Sequence, residues 1–132
     1  MPTISLVDDD LSVRKALCRL MAVAGYGAVA YESAEAFLAA GAAETSDCVI
    51  LDVHLPSKSG LELQAELVAL RVRRPIVFIT AFDDESARAQ ALQAGAFEFL
   101  RKPLDTKRLL EVIKAALAAD GAGSTTAAGL EA

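Results

Sequence analysis

The sequence predicts an α/β domain, a doubly wound five-stranded parallel sheet with helices on both faces. Three observations point there. Apolar runs of strand length alternate with segments of helical period, in units of about 20 residues each. The central strand runs, Cys48 to Leu51 and Ile76 to Ile79, are apolar at consecutive positions, as in strands buried on both faces. The residues able to do chemistry fall at the carboxyl ends of those strands, where open α/β sheets bind ligands. A length of 132 residues suits one domain around a single sizeable core.

Ile4 to Val7 forms the first strand and stops at Asp8-Asp9-Asp10. Ser12 is placed to cap the first helix, where Val13, Ala16, Leu17, Leu20 and Met21 recur at helical spacing, and Gly25 ends it. Gly27 to Tyr31 is the second strand. Ser33 caps a short helix that turns Ala36, Phe37 and Leu38 inward, and Gly41 closes it. Cys48 to Leu51 is the third strand. It delivers Asp52 to the rim of the sheet, and the chain then turns through Pro56.

A third helix spans about Gly60 to Leu70, with Leu61, Leu63, Leu67 and Leu70 as its apolar set. Pro75 opens a fourth strand, Ile76 to Ile79, which ends at Thr80. A fourth helix, about Glu85 to Ala94, ends at Gly95. Phe97 to Leu100 is the fifth strand, followed by Arg101-Lys102-Pro103. Asp105 or Thr106 caps the last helix, with Leu109, Leu110, Val112, Ile113 and Leu117 inward. The domain is therefore expected over 1–120. The Gly-Ser-Thr-Ala composition of 121–132 reads as a flexible tail or truncated linker.

Hydrophobic residues make up 54% of the chain and aromatics only 5%, with no Trp, so the core is expected to be aliphatic. The net charge of -5 argues against nonspecific nucleic-acid binding, which depends on basic surface. Cys18 and Cys48 lack metal-ligand spacing and read as reduced core thiols. Nothing at the N-terminus resembles a signal peptide, and no apolar run reaches the ~20 residues that span a bilayer. A soluble, cytoplasmic protein without membrane contact is expected.

Asp8 and Asp9, Asp52, Thr80 and Lys102 all fall at strand carboxyl ends, on strands one, three, four and five. Three carboxylates on one rim repel one another and call for protons or a cation. Their oxygens suit a hard dication, Mg²⁺, held by acids, waters and a phosphate oxygen. His54 is the only histidine, so no zinc cluster is indicated. The first loop carries acids where a nucleotide-binding fold would carry glycines.

A carboxylate beside Mg²⁺ can act as a nucleophile toward phosphorus and form an aspartyl phosphate. Lys102 would supply a second positive charge, and the Thr80 hydroxyl would bond a phosphoryl oxygen. Taken singly, each residue has a plain reading: a solvated acidic loop at a helix start, a surface lysine, a strand threonine. Only their convergence argues for a site. Asp10 reads as a helix-start residue and not as a ligand.

These residues make the chain resemble the receiver domain of bacterial two-component response regulators over about residues 2 to 119. The resemblance rests on Asp8-Asp9, on Asp52-Val53-His54-Leu55-Pro56 with Gly60, on Thr80-Ala81 and on Lys102-Pro103. It implies the flavodoxin-like sheet order 2-1-3-4-5 and a phosphoryl group passed from a sensor histidine kinase to Asp52. It implies that Asp9, Asp52 and the backbone carbonyl of His54 bind Mg²⁺, with Asp8 helping through water. It places Phe99 as the switch aromatic that turns inward when Thr80 moves, and predicts a cis peptide between Lys102 and Pro103. The fourth helix, fifth strand and last helix would then present the altered surface, a route to phosphorylation-dependent homodimers.

Within the family, the Val-Asp-Asp-Asp start, Ser33 to Leu38 and Gly95 to Phe99 look most like regulators with a helix-turn-helix output domain. DNA would be reached only through that domain, which is absent from this sequence. Two alternatives compete with this reading. One is a stand-alone receiver acting by protein docking. The other is a Mg²⁺-dependent aspartyl phosphohydrolase, which would place a second Asp two residues after the nucleophile, where this chain has His54. The expected protein is thus a switch with slow autodephosphorylation at most, and not an enzyme.

Overall fold

The computed structural model describes residues 1–129, with side chains through Ala119. The expected tail over 121–132 therefore lies outside the described side chains, and 130–132 lie outside the described residues. In chain order the elements are β1 (Thr3–Val7), α1 (Leu11–Val23), β2 (Gly27–Tyr31), α2 (Ala34–Ala39), α3 (Ala42–Thr45), β3 (Cys48–Asp52), α4 (Gly60–Ala69), β4 (Ile76–Thr80), α5 (Glu85–Gln93), β5 (Glu98–Arg101) and α6 (Thr106–Gly129). The strands pair in parallel in the order β2-β1-β3-β4-β5.

Consecutive apolar residues in a strand point to opposite faces, so a sheet covered on both sides needs both sets. All five residues of β3 and all five of β4 are buried. On one face Val49, Leu51 and Phe78 pack with Phe37 of α2, Leu63 and Leu67 of α4, and Ala87 and Ala91 of α5. On the other, Ile50, Val77 and Ile79 meet Leu17 and Met21 of α1 and Leu109, Val112 and Ile113 of α6. Strands that run in parallel share their carboxyl ends, and this packing aligns them into one rim.

Several local expectations are corrected. There are six helices among the described residues, because the four-residue α3 follows Gly41, whose φ is +70. An element that short carries no period to read. Asp10, not Ser12, caps α1, its side chain accepting from the backbone N–H of Ser12 and Val13. Ala16 is exposed. Leu70 is 60% exposed, while Gln64 takes a buried place in α4 and donates from Nε2 to the Ala91 carbonyl at 2.9 Å. Gly60 is the first residue of α4, and Ser59 closes a capping box with Glu62 ahead of it. Asp105 caps α6 by accepting from Lys107 and Arg108 N–H groups.

Candidate functional site

The carboxyl-terminal rim is built by four strand ends and their loops. β1 ends at Val7, so Asp8 is the first residue past it, and the Asp8 side chain accepts from Asp10 N–H at 2.8 Å. β3 ends at Asp52, whose Oδ1 accepts from His54 N–H at 3.1 Å. β4 ends at Thr80, whose Oγ1 accepts from Phe82 N–H at 3.1 Å. Thr80 lies one residue beyond Ile79, the register partner of Asp52.

Lys102 follows β5, and its backbone N–H bonds the Thr80 carbonyl at 2.7 Å. The peptide between Lys102 and Pro103 is cis. The Lys102 ammonium reaches back across the rim to two acids at once, Asp8 Oδ2 at 2.9 Å and Asp52 Oδ2 at 3.2 Å. Asp8 and Asp52 are buried, 1% and 4% exposed, whereas Asp9 is exposed. One cation thus serves two buried carboxylates.

That imbalance sets the electrostatics. Burial, then the Asp8 charge, push the Asp52 carboxyl above its ordinary value, against the opposing pull of the His54 N–H and Lys102. Burial alone would lower the Lys102 ammonium. Its hydrogen bond to Asp8 and the charges of Asp52 and Asp8 outweigh that and raise it. The site favours a proton or a further cation near Asp52.

Carboxylate oxygens of Asp8, Asp9 and Asp52 all lie within 4.8 Å of one another. Ligands of an octahedral Mg²⁺, at about 2.1 Å from the ion, sit roughly 3–4 Å apart. The oxygen-only donor set and its excess negative charge therefore fit a small, hard dication.

Gly60 earns its place by close approach. A Cβ there would lie 2.2 Å from the Asp52 carbonyl oxygen, and Gly60 N–H bonds the Val53 carbonyl at 2.9 Å. Only hydrogen fits, so α4 begins against the backbone of the acidic residue itself.

Other named residues take more distant places. The His54 ring is exposed and meets Phe82 edge-on, centroids 4.7 Å apart. Phe99 is buried, 8% exposed, with its ring 6.0 Å from that of Phe78, its register partner. Two residues at the site carried little sequence signal. Arg14, a basic residue on the first helix with no motif around it, donates from its guanidinium to the Asp8 carbonyl at 2.7 Å and ties α1 to the acidic loop. Phe82 carried no signal at all, because its contact with His54 joins two loops that only the fold brings together.

Comparison with known proteins agrees with this geometry. Residues 4–114 match the response regulator receiver domain family. The chain is 41% identical over 116 residues to the transcriptional regulatory protein TdiR of Thauera aromatica, covering 88% of this chain and 51% of that protein. It is 33% identical to the transcriptional regulatory protein FixJ of Rhizobium meliloti, covering 86% of this chain and 56% of that one. It spans about half the length of the curated relatives it matches. Among solved structures, a response regulator receiver protein from Burkholderia phymatum superposes with a TM-score of 0.79 at 40% identity, covering 89% of this chain and 96% of that one. The response regulator StyR gives 0.89 at 38% identity, covering 98% of this chain and 66% of that chain.

Proposed function

This chain belongs to the family of response regulator receiver domains, and on that premise we propose that Asp52 accepts a phosphoryl group from a sensor histidine kinase. The observation that carries the proposal is the shared lysine: Lys102 holds Asp52 and Asp8 together at hydrogen-bond distance on a buried rim. An Asp52 carboxylate oxygen attacks phosphorus, the phosphorus–nitrogen bond of phosphohistidine breaks, and its electron pair returns to the imidazole. Asp52 is its own nucleophile, so no general base is needed, and positioning with charge neutralisation dominates.

Asp8, Asp9 and Asp52, with the His54 carbonyl, would hold Mg²⁺. When bound, the ion neutralises charge on the transferring phosphoryl oxygens. Lys102 supplies the protein's own positive charge beside the acceptor. For the Thr80 hydroxyl to bond a phosphoryl oxygen, it would exchange its present partner, Phe82 N–H. That exchange is how phosphorylation would be sensed, with Phe99 on neighbouring β5 following.

The surface of α5, β5 and α6 would carry the change outward, promoting homodimers and, in a longer chain, a DNA-binding output. Support comes from the transcriptional regulators among the relatives and from the fact that this chain spans about half of each. The reaction class is a switch, with slow loss of phosphate to water and no turnover of a separate substrate.

The test is intact-mass measurement after incubation with a small-molecule phosphodonor. A gain of about 80 Da that requires Mg²⁺ and vanishes in Asp52→Asn supports the proposal. No gain with any donor overturns it.

A further inference from the structure

A cleft of about 810 Å³ opens at the opposite edge of the sheet from Asp52. Its walls are the end of α4 with the loop Arg71–Pro75, the α5–β5 turn and the face of α6 at Ala116. These segments precede β4 and β5, so the cleft lies a full strand away from the acidic rim, about 15 Å. A ligand seated there would not obstruct phosphoryl transfer.

Its chemistry is divided. The floor includes apolar side chains left partly open to solvent, Val68 at 55% and Phe97 at 37% exposed. The rim carries Arg71, Arg73 and Arg74, all exposed. Among the described residues no ion pair engages any of the three, while Arg101 and Arg108 on the switch surface each meet an acid. Three exposed guanidinium groups in a chain of net charge -5 form a local reversal of sign. Arg71 also sits at φ +63, just past the end of α4, where its N–H bonds the Val68 carbonyl. Glycine is the residue at ease in that conformation.

We propose that this cleft docks an acidic amphipathic helix of a partner protein, its apolar face against Val68 and Phe97 and its carboxylates on the three arginines. Helix-in-groove recognition needs an apolar strip to seat one face of the helix. Arginine forks pair with carboxylates bidentately, giving register as well as attraction. A nucleic acid would use the arginines but leave the apolar floor uncovered, and the negative charge elsewhere on the chain would repel it. The proposal does not depend on Asp52 accepting phosphate, and either can fail without the other.

The probe is a synthetic Glu/Leu/Ala amphipathic peptide of about four helical turns, titrated into the isotope-labelled full chain and followed by backbone amide shifts. Expected are shifts confined to Arg71–Ile76, Ala94–Phe97 and the facing part of α6, weakening as salt rises. The triple variant Arg71→Glu, Arg73→Glu, Arg74→Glu should lose binding by roughly tenfold or more. Because these side chains are exposed and make no ion pair among the described residues, its melting temperature should match the parent. Val68→Asp, which leaves the arginines intact, should also weaken binding. Any of three results overturns the proposal: no shifts up to about 1 mM peptide, shifts that map to the α5–β5–α6 surface instead, or equal binding of a Lys-for-Glu peptide or an oligonucleotide.

Discussion

Asp52→Asn should make the metal-free protein more stable, although it removes a hydrogen-bonded ion pair. Asp52 and Asp8 are both buried and share the single Lys102 ammonium, at 3.2 and 2.9 Å. With an effective dielectric of 20, repulsion between carboxylates at most 4.8 Å apart is at least about 3.5 kcal/mol, and attraction to Lys102 at 3.2 Å is about 5 kcal/mol. Desolvation of the buried Asp52 charge costs several kcal/mol more. The amide removes the repulsion and the desolvation. It still accepts from His54 N–H and Lys102, and it leaves Lys102 and Asp8 as a one-to-one pair. The net gain is of order 1–2 kcal/mol, or about 3–10 °C in melting temperature for a chain of this size.

The pH dependence follows from the direction of the shift. Asp52's carboxyl is raised in the folded state, so its proton favours folding. That contribution is fully present below the unfolded value of about 3.9 and is lost as pH rises through the folded value. The gap between variant and parent should therefore open between acid and neutral pH. Mg²⁺ at ten times its dissociation constant should return about 1.4 kcal/mol to the parent and much less to the variant. Thermal melts in chelator, at several pH values and with Mg²⁺ added, measure all of this. A variant that melts at or below the parent in chelator at neutral pH would refute the reasoning.

Lys102→Met should act in the opposite sense, costing about 3–5 kcal/mol in chelator because two buried carboxylates lose the one cation paired with them among the described residues. Chemical denaturation checks the loss, and phosphodonor labelling should fall with it. Gly60→Ala should cost at least about 2 kcal/mol, since a Cβ 2.2 Å from the Asp52 carbonyl forces β3 or α4 to shift; amide shifts concentrated at Asp52 to Gly60 would show where the strain went. His54→Ala and Phe82→Ala each remove half of an edge-on ring pair tied by backbone N–H groups to Asp52 and Thr80. Both should shorten the phosphate lifetime by a few-fold, of the order expected for opening a site to water, and mass analysis against time reads it directly. Lifetimes equal to the parent's would mean that the pair does not limit water access.

The sheet was legible from the residues alone. The wholly apolar runs of β3 and β4 can be satisfied only by burial on both faces, and Asp8 and Asp9, Asp52, Thr80 and Lys102 each lie at or just past a strand's carboxyl end. Once the runs lie parallel, those residues must share one rim. The helix ends marked by Gly25, Gly41 and Gly95 were legible for the same local reason, each having a positive φ that other residues adopt only at a cost.

Tertiary structure decided what depends on separation in space and not along the chain. Period alone put Leu70 in the core of α4. The packing of α5 against α4 instead buried Gln64, whose amide can satisfy the Ala91 carbonyl, and left Leu70 in solvent. No pattern in the sequence could say that one ammonium spans two acids, 50 and 94 residues away. Nor could it pair Arg14 with the Asp8 carbonyl or His54 with Phe82. The first fixes how α1 leaves its own strand end, and the second joins loops after different strands, whose separation is set only when both faces of the sheet are closed.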